Sequence, residues 1–128
     1  MQKKIRIFLI IVVLVFLILH FLGWYKYYYN LEHYDKAVHF FAGASVVSAV
    51  LWFLGIKEIK GVNKKLVSLI FLFLVSIIWE IFEYLTDHVF SRPLIGILQP
   101  MQPTYLDTIG DFLADFIGGF MVFGNKRN

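Results

Sequence analysis

The acidic residues and histidines of this sequence are spaced as chemistry would need them. Asp35 and His39 lie four apart, Glu80, Glu83 and Asp87 follow at intervals of three and four, and Asp107, Asp111 and Asp115 recur every fourth position. On a helix each set shares one face. Oxygen ligands of this kind suit a hard divalent cation, Mg²⁺, Mn²⁺ or Ca²⁺, and Glu80, Glu83, Asp111 and Asp115 are the expected metal ligands. An imidazole beside a carboxylate suits proton transfer, with His39 as general acid or base oriented by Asp35. His39, Asp35, Glu83 and Asp111 are therefore the expected catalytic set. Cysteine is absent, which excludes disulfides, thiolate nucleophiles and thiolate-bound metals.

The elements that must carry these residues are membrane spans. The 128 residues are 59% hydrophobic and 16% charged, too apolar for water to be the main solvent. The apolar residues come in runs of about twenty, the length of a helix that crosses the hydrocarbon core and satisfies its own backbone groups. The pattern predicts an all-α, integral membrane four-helix bundle forming a single domain over 1–128, with spans at about 5–22, 36–56, 66–87 and 106–124. No small-x-small cleavage site follows the first apolar run, which therefore reads as an uncleaved anchor. Between the first two spans, WYKYYYNLEHY suits the interfacial aromatic belt. Between the last two, Pro93, Pro100 and Pro103 argue against regular helix, and Leu94 to Leu98 have the character of a segment that dips into the interface.

Charge sets the orientation. Lys3, Lys4 and Arg6, then Lys57, Lys60, Lys64 and Lys65, then Lys126 and Arg127 fall on one side of such a bundle, nine of the twelve basic residues. The positive-inside rule makes that side, and both termini, cytoplasmic in a multi-pass protein of a bacterial or archaeal cell membrane. Every acidic residue except Glu58 then falls on the opposite side or in the outer half of a span, as do all four histidines. At about 1.5 Å per residue, His39, Glu83 and Asp111 lie one turn inside Asp35, Asp87 and Asp107, with Glu80 and Asp115 deeper still. His39, Glu83 and Asp111 are expected within about 8 Å of one another, a gap one metal and a water can bridge. Gly110, Ala114 and Gly118 form a small-residue stripe that lets the fourth span approach a neighbour closely.

An ionised acid within the bilayer costs at least about 2.5–3.5 kcal/mol on insertion scales. Lys36 and Arg92 are too few to neutralise six or more acids, so the carboxylates must hold protons, bind a cation or meet water. Trp79 and the serines Ser45, Ser48 and Ser76 read as ordinary packing residues. His20, His33 and His88 read as interfacial.

The segments YDKAVHFFAG, WEIFEYLTD and YLDTIGDFLADFIGG, in this order and spacing, resemble the YjdF family of bacterial inner-membrane proteins and, more distantly, the VanZ-like family associated with glycopeptide resistance. The resemblance covers Tyr34 to Gly119. By position it picks out Asp35, His39, Gly43, Glu80, Glu83, Asp107, Asp111 and Asp115. It implies the fold and the site rather than a reaction.

Function follows from the depth of the site. The expected substrate is the headgroup or phosphate of a membrane lipid or lipid-linked envelope precursor at the outer leaflet, acted on with a divalent cation. The alternative is a non-enzymatic protein that binds an envelope lipid or a cationic ligand. A proton or cation pathway ranks lowest, because the acids do not continue below Asp115 unless a homo-oligomer builds the path elsewhere. No basic stripe interleaved with aromatics appears, so no nucleic acid is expected as a partner despite the net charge of +3.

Overall fold

The computed structural model describes residues 2–23, 31, 33–89 and 104–124. Four helices fill these segments: α1 Gln2–Leu22, α2 Tyr34–Ile56, α3 Lys64–His88 and α4 Tyr105–Gly124. Each begins and ends within about three residues of its expected span. The aromatic segment at 24–30, the segment at 94–98, Arg92 and the basic residues at 126–127 lie outside the described residues.

Sequence explains where the helices start and stop. Asn63 stands just before α3 and its side chain accepts from the Leu66 N–H, satisfying one of the amides a helix start leaves open. The turn between α2 and α3 passes through positive φ at Glu58 and Gly61, and at Gly61 the missing Cβ makes that conformation inexpensive.

Helices α1, α2 and α3 are long and apolar enough to cross a membrane. Helix α4, twenty residues long, has a matching length of about 30 Å but carries three aspartates. It packs most extensively against α2, which also receives α1 and α3. Lys36, Gly43 and Val47 of α2 meet Asp107, Asp115 and Gly119 of α4 in the same order, so the two helices run parallel. On α3, Leu72 meets Gly119 and Ser76 meets Asp115, so α3 runs against them. A core of Val12, Ala44, Val47, Leu51, Leu72 and Val122 fills one half of the bundle. The outer surface is broadly apolar, with Ile11, Leu14, Ile18, Phe71, Ile78 and Phe120 all about half exposed or more, as a lipid-facing surface requires.

Glycine sets the closest approach. A Cβ on Gly43 would collide with the Asp115 carbonyl, and one on Gly118 with the Phe40 carbonyl. The α2 and α4 backbones therefore touch directly. Of the expected small-residue stripe, Gly118 makes this contact, while Gly110 instead leaves room for the Lys36 chain, whose Cε would lie 2.8 Å from a Cβ there.

Candidate metal centre

Backbone contact between α2 and α4 brings His39 against two aspartates. Its Nε2 lies 3.5 Å from Asp111 Oδ1 and its Nδ1 lies 3.3 Å from Asp115 Oδ1. The buried stripe of α3, spaced at three and four, carries Ser76, Glu80, Glu83 and Thr86 to the same interior. His39, Glu80, Glu83 and Asp111 each offer one ligand atom, and these four atoms all lie within 4.8 Å of one another. All four residues are buried, none more than 8% exposed. The gathering of His39, Glu83 and Asp111 expected from helical depth is what the structure contains.

The surroundings of this group are ordered by hydrogen bonds. Trp79 Nε1 donates to Glu83 Oε1 at 2.7 Å, and Ser76 Oγ donates to Asp115 Oδ2 at 2.6 Å. Glu83 Oε2 is buried with no hydrogen-bond partner. A buried carboxylate oxygen is costly when nothing donates to it or neutralises it, and it is the kind of atom a cation would engage.

A second group of acids lies toward the adjoining ends of α2 and α4. Asp35, Asp107 and Asp111 also bring oxygens together. Lys36 Nζ sits among them, 2.8 Å from Asp35 Oδ2, 2.5 Å from Asp107 Oδ1 and 2.7 Å from Asp111 Oδ1. An ammonium has three protons to donate, and here three carboxylates receive them. Asp111 belongs to both groups.

Two positions differ from expectation. Asp35 does not orient His39; it is engaged by Lys36, whose flexible chain reaches across to α4 where the shorter Asp35 carboxylate stays with the ammonium. The aspartate beside the imidazole is Asp115, which also accepts from Ser76 and lies outside the four-residue ligand group. Asp87 joins neither group. His20 packs edge-on to Trp79 at 6.0 Å, beside the site but in neither ligand group, and His88 stacks on Tyr84 at 4.3 Å and joins neither group.

Sequence reasoning missed Lys36, Trp79 and Ser76 as parts of the site. Lys36 had a signal: a lysine one turn from His39 in an apolar helix seldom faces lipid. Trp79 lies four residues before Glu83, within reach of its carboxylate on the same helix. Ser76 carried none, since small hydroxyls are common wherever membrane helices pack.

The chain matches the model of a family described as "Predicted membrane protein (DUF2238)" over residues 2–125. It belongs to that family, which is the YjdF family its motifs resemble. No curated protein and no solved structure matches it.

Proposed function

We propose that this family member holds one divalent cation on Glu80, Glu83, Asp111 and His39, and uses it on the phosphate or headgroup of a lipid or lipid-linked envelope precursor at the outer leaflet. The observation that carries the reading is the buried four-residue group from three helices, with Glu83 Oε2 unpartnered at its edge. A span of 4.8 Å between ligand atoms accommodates metal–oxygen bonds of about 2.1–2.5 Å on opposite sides of one ion. Charge argues the same way. Six carboxylates, Asp35, Asp107, Asp111, Asp115, Glu80 and Glu83, lie around one ammonium and one imidazole, and a bound dication offsets part of that excess.

The chain's own residues divide the work. Asp115, held by Ser76, fixes the ring of His39, the arrangement that commonly orients a ligating histidine. Trp79 holds one oxygen of Glu83 and leaves the other for the ion. Lys36 keeps Asp111 in place from the other side. Bound there, the ion would supply Lewis-acid polarisation of a phosphoryl oxygen. The basic α2–α3 turn at the far end of the bundle supports, by the positive-inside rule, a site in the outer half of a cell membrane.

Two measurements test this. Melting of the detergent-solubilised protein is expected to rise with millimolar Mg²⁺, Mn²⁺ or Ca²⁺ and fall with chelator; no shift with any of the three removes the cation. Mass spectrometry of lipids from cells with and without the gene is expected to show a changed lipid or lipid-linked class. An unchanged lipid profile alongside a genuine metal shift would leave a binding protein rather than an enzyme.

A further inference from the structure

The opposite end of the bundle has the opposite sign. Lys57 follows α2 and Lys64 begins α3, with Lys60 in the turn between them. Helix α3 starts here behind its Asn63 cap and α2 ends here, so their dipoles oppose and the lysines set the sign. Beneath the turn, α2 and α3 leave an apolar groove of about 320 Å³, lined by Ala49, Val50, Phe53, Leu54, Val67 and Phe71. Phe53 and Phe71 are 53% and 52% exposed, so the groove opens sideways toward the membrane. Leu54 and Lys57 are three residues apart, as are Lys64 and Val67. Lys64 therefore stands about 4.5 Å along α3 from Val67, and Lys57 caps α2 three residues beyond Leu54. Lys57, Lys60 and Lys64 form no ion pair among the described residues. Lys65 is turned elsewhere, its Nζ 5.5 Å from the centre of the Phe123 ring.

We infer that this groove binds an anionic phospholipid, with one acyl chain between α2 and α3 and the phosphate on Lys57 and Lys64. The apolar walls take the chain and the uncompensated ammonium groups select the headgroup. A zwitterionic phospholipid offers the same chain and phosphate but carries its own cation into a basic site, so complementarity favours the anionic lipid. The site is at the other end of the bundle from the carboxylates and stands independently of any reaction there.

The test titrates the purified full chain in detergent with phosphatidylglycerol and with phosphatidylcholine of the same acyl chains, counting bound lipid by native mass spectrometry. Phosphatidylglycerol is expected to bind at least tenfold more tightly. The double variant K57Q/K64Q is expected to lose at least fivefold of that preference while binding phosphatidylcholine as before. V50W, which fills the groove, is expected to weaken both lipids. Equal affinity for the two lipids in the native chain would overturn the inference, as would full preference retained in K57Q/K64Q. So would loss of preference in K3Q/K4Q alone, which would move the headgroup to α1. Lys57 and Lys64 lie outside the packed core, so the charge comparison decides even if V50W does not fold.

Discussion

At the adjoining ends of α2 and α4, Asp35, Asp107 and Asp111 converge on the ammonium of Lys36, whereas one turn deeper His39, Glu80, Glu83 and Asp111 converge on each other, and of these only Asp111 is reached by that ammonium. Both groups are acidic and both are built across the same helix interface. The difference is that the first already contains its cation, covalently tethered, whereas the second is the group we propose takes one from solution. Acid clustering by itself therefore does not distinguish a structural charge network from a metal centre. The second group differs in holding a buried carboxylate oxygen, Glu83 Oε2, that no donor reaches.

The sharpest way to break both groups at once is to part the helices that make them. Gly118→Val drives a branched side chain into the Phe40 carbonyl, a backbone atom that cannot step aside. The expected loss is about 3 kcal/mol or more, at the upper end of overpacking effects, read as a large fall in melting temperature or a failure to purify as a monodisperse species. Gly110→Ala meets only the far end of Lys36 and should be tolerated, so equal damage from the two would refute the assignment of the close approach to Gly118.

Lys36→Met attacks the first group alone. Removing one partner of a buried charge network costs about 3–5 kcal/mol, and because the Lys36 side chain is 21% exposed we expect about 2 kcal/mol here. Adding Asp35→Asn and Asp107→Asn should recover part of it, since two of the three stranded charges are then gone and Asp111 keeps the His39 ring beside it. Thermal melting of the single and triple variants checks this; no recovery would mean that Lys36 acts through packing rather than charge.

Glu83→Gln and Asp111→Asn separate the two groups from each other. Glu83 serves only the second, so Glu83→Gln should raise stability in chelator by about 1 kcal/mol through relief of like-charge crowding. It should also abolish the metal-dependent gain, expected for the native chain at about 2.7 kcal/mol at a hundredfold excess over the dissociation constant. Asp111 serves both, so Asp111→Asn should abolish the metal gain and lower stability in chelator as well, because Lys36 loses a partner. If the two variants melt alike in chelator, the sharing of Asp111 is wrong.

Ser76→Ala is the smallest change and sharpens the role of Asp115. It removes one hydrogen bond to a carboxylate, about 1.5 kcal/mol, and should weaken metal binding tenfold or more by loosening His39. Isothermal titration with Mn²⁺ reads the affinity directly. An unchanged affinity would make Asp115 a packing partner of His39 and nothing more.

The helices were legible because length and hydropathy are local properties: a run of about twenty apolar residues has few alternatives in a bilayer. The gathering of His39, Glu83 and Asp111 was legible for a related reason, since helices that alternate in direction carry residues of equal depth to one layer. Depth, however, says nothing of rotation. Asp35 and His39 share a face by spacing, yet which of them meets which aspartate depends on how α2 turns toward α4, and that is fixed by Gly43 and Gly118 at positions the acids do not reveal. Reach was the other hidden quantity. In the sequence Lys36 is one charge against many, while its long chain lets a single ammonium serve three carboxylates on two helices.

Helix α1 contributes a single buried residue, Val12, and is tied to its neighbours by few contacts with direction, among them the Tyr34 hydroxyl donating to the Leu19 carbonyl. Its exposed residues, among them Ile11, Leu14 and Ile18, are left to lipid, and lipid does not discriminate leucine from isoleucine or valine. Apolar substitutions at those positions are therefore close to synonymous, while on α4 the addition of a side chain at Gly118 is not. Under mutation the chain behaves as two texts, an outer face of α1 that need keep only its hydropathy and a packed remainder that must keep its letters.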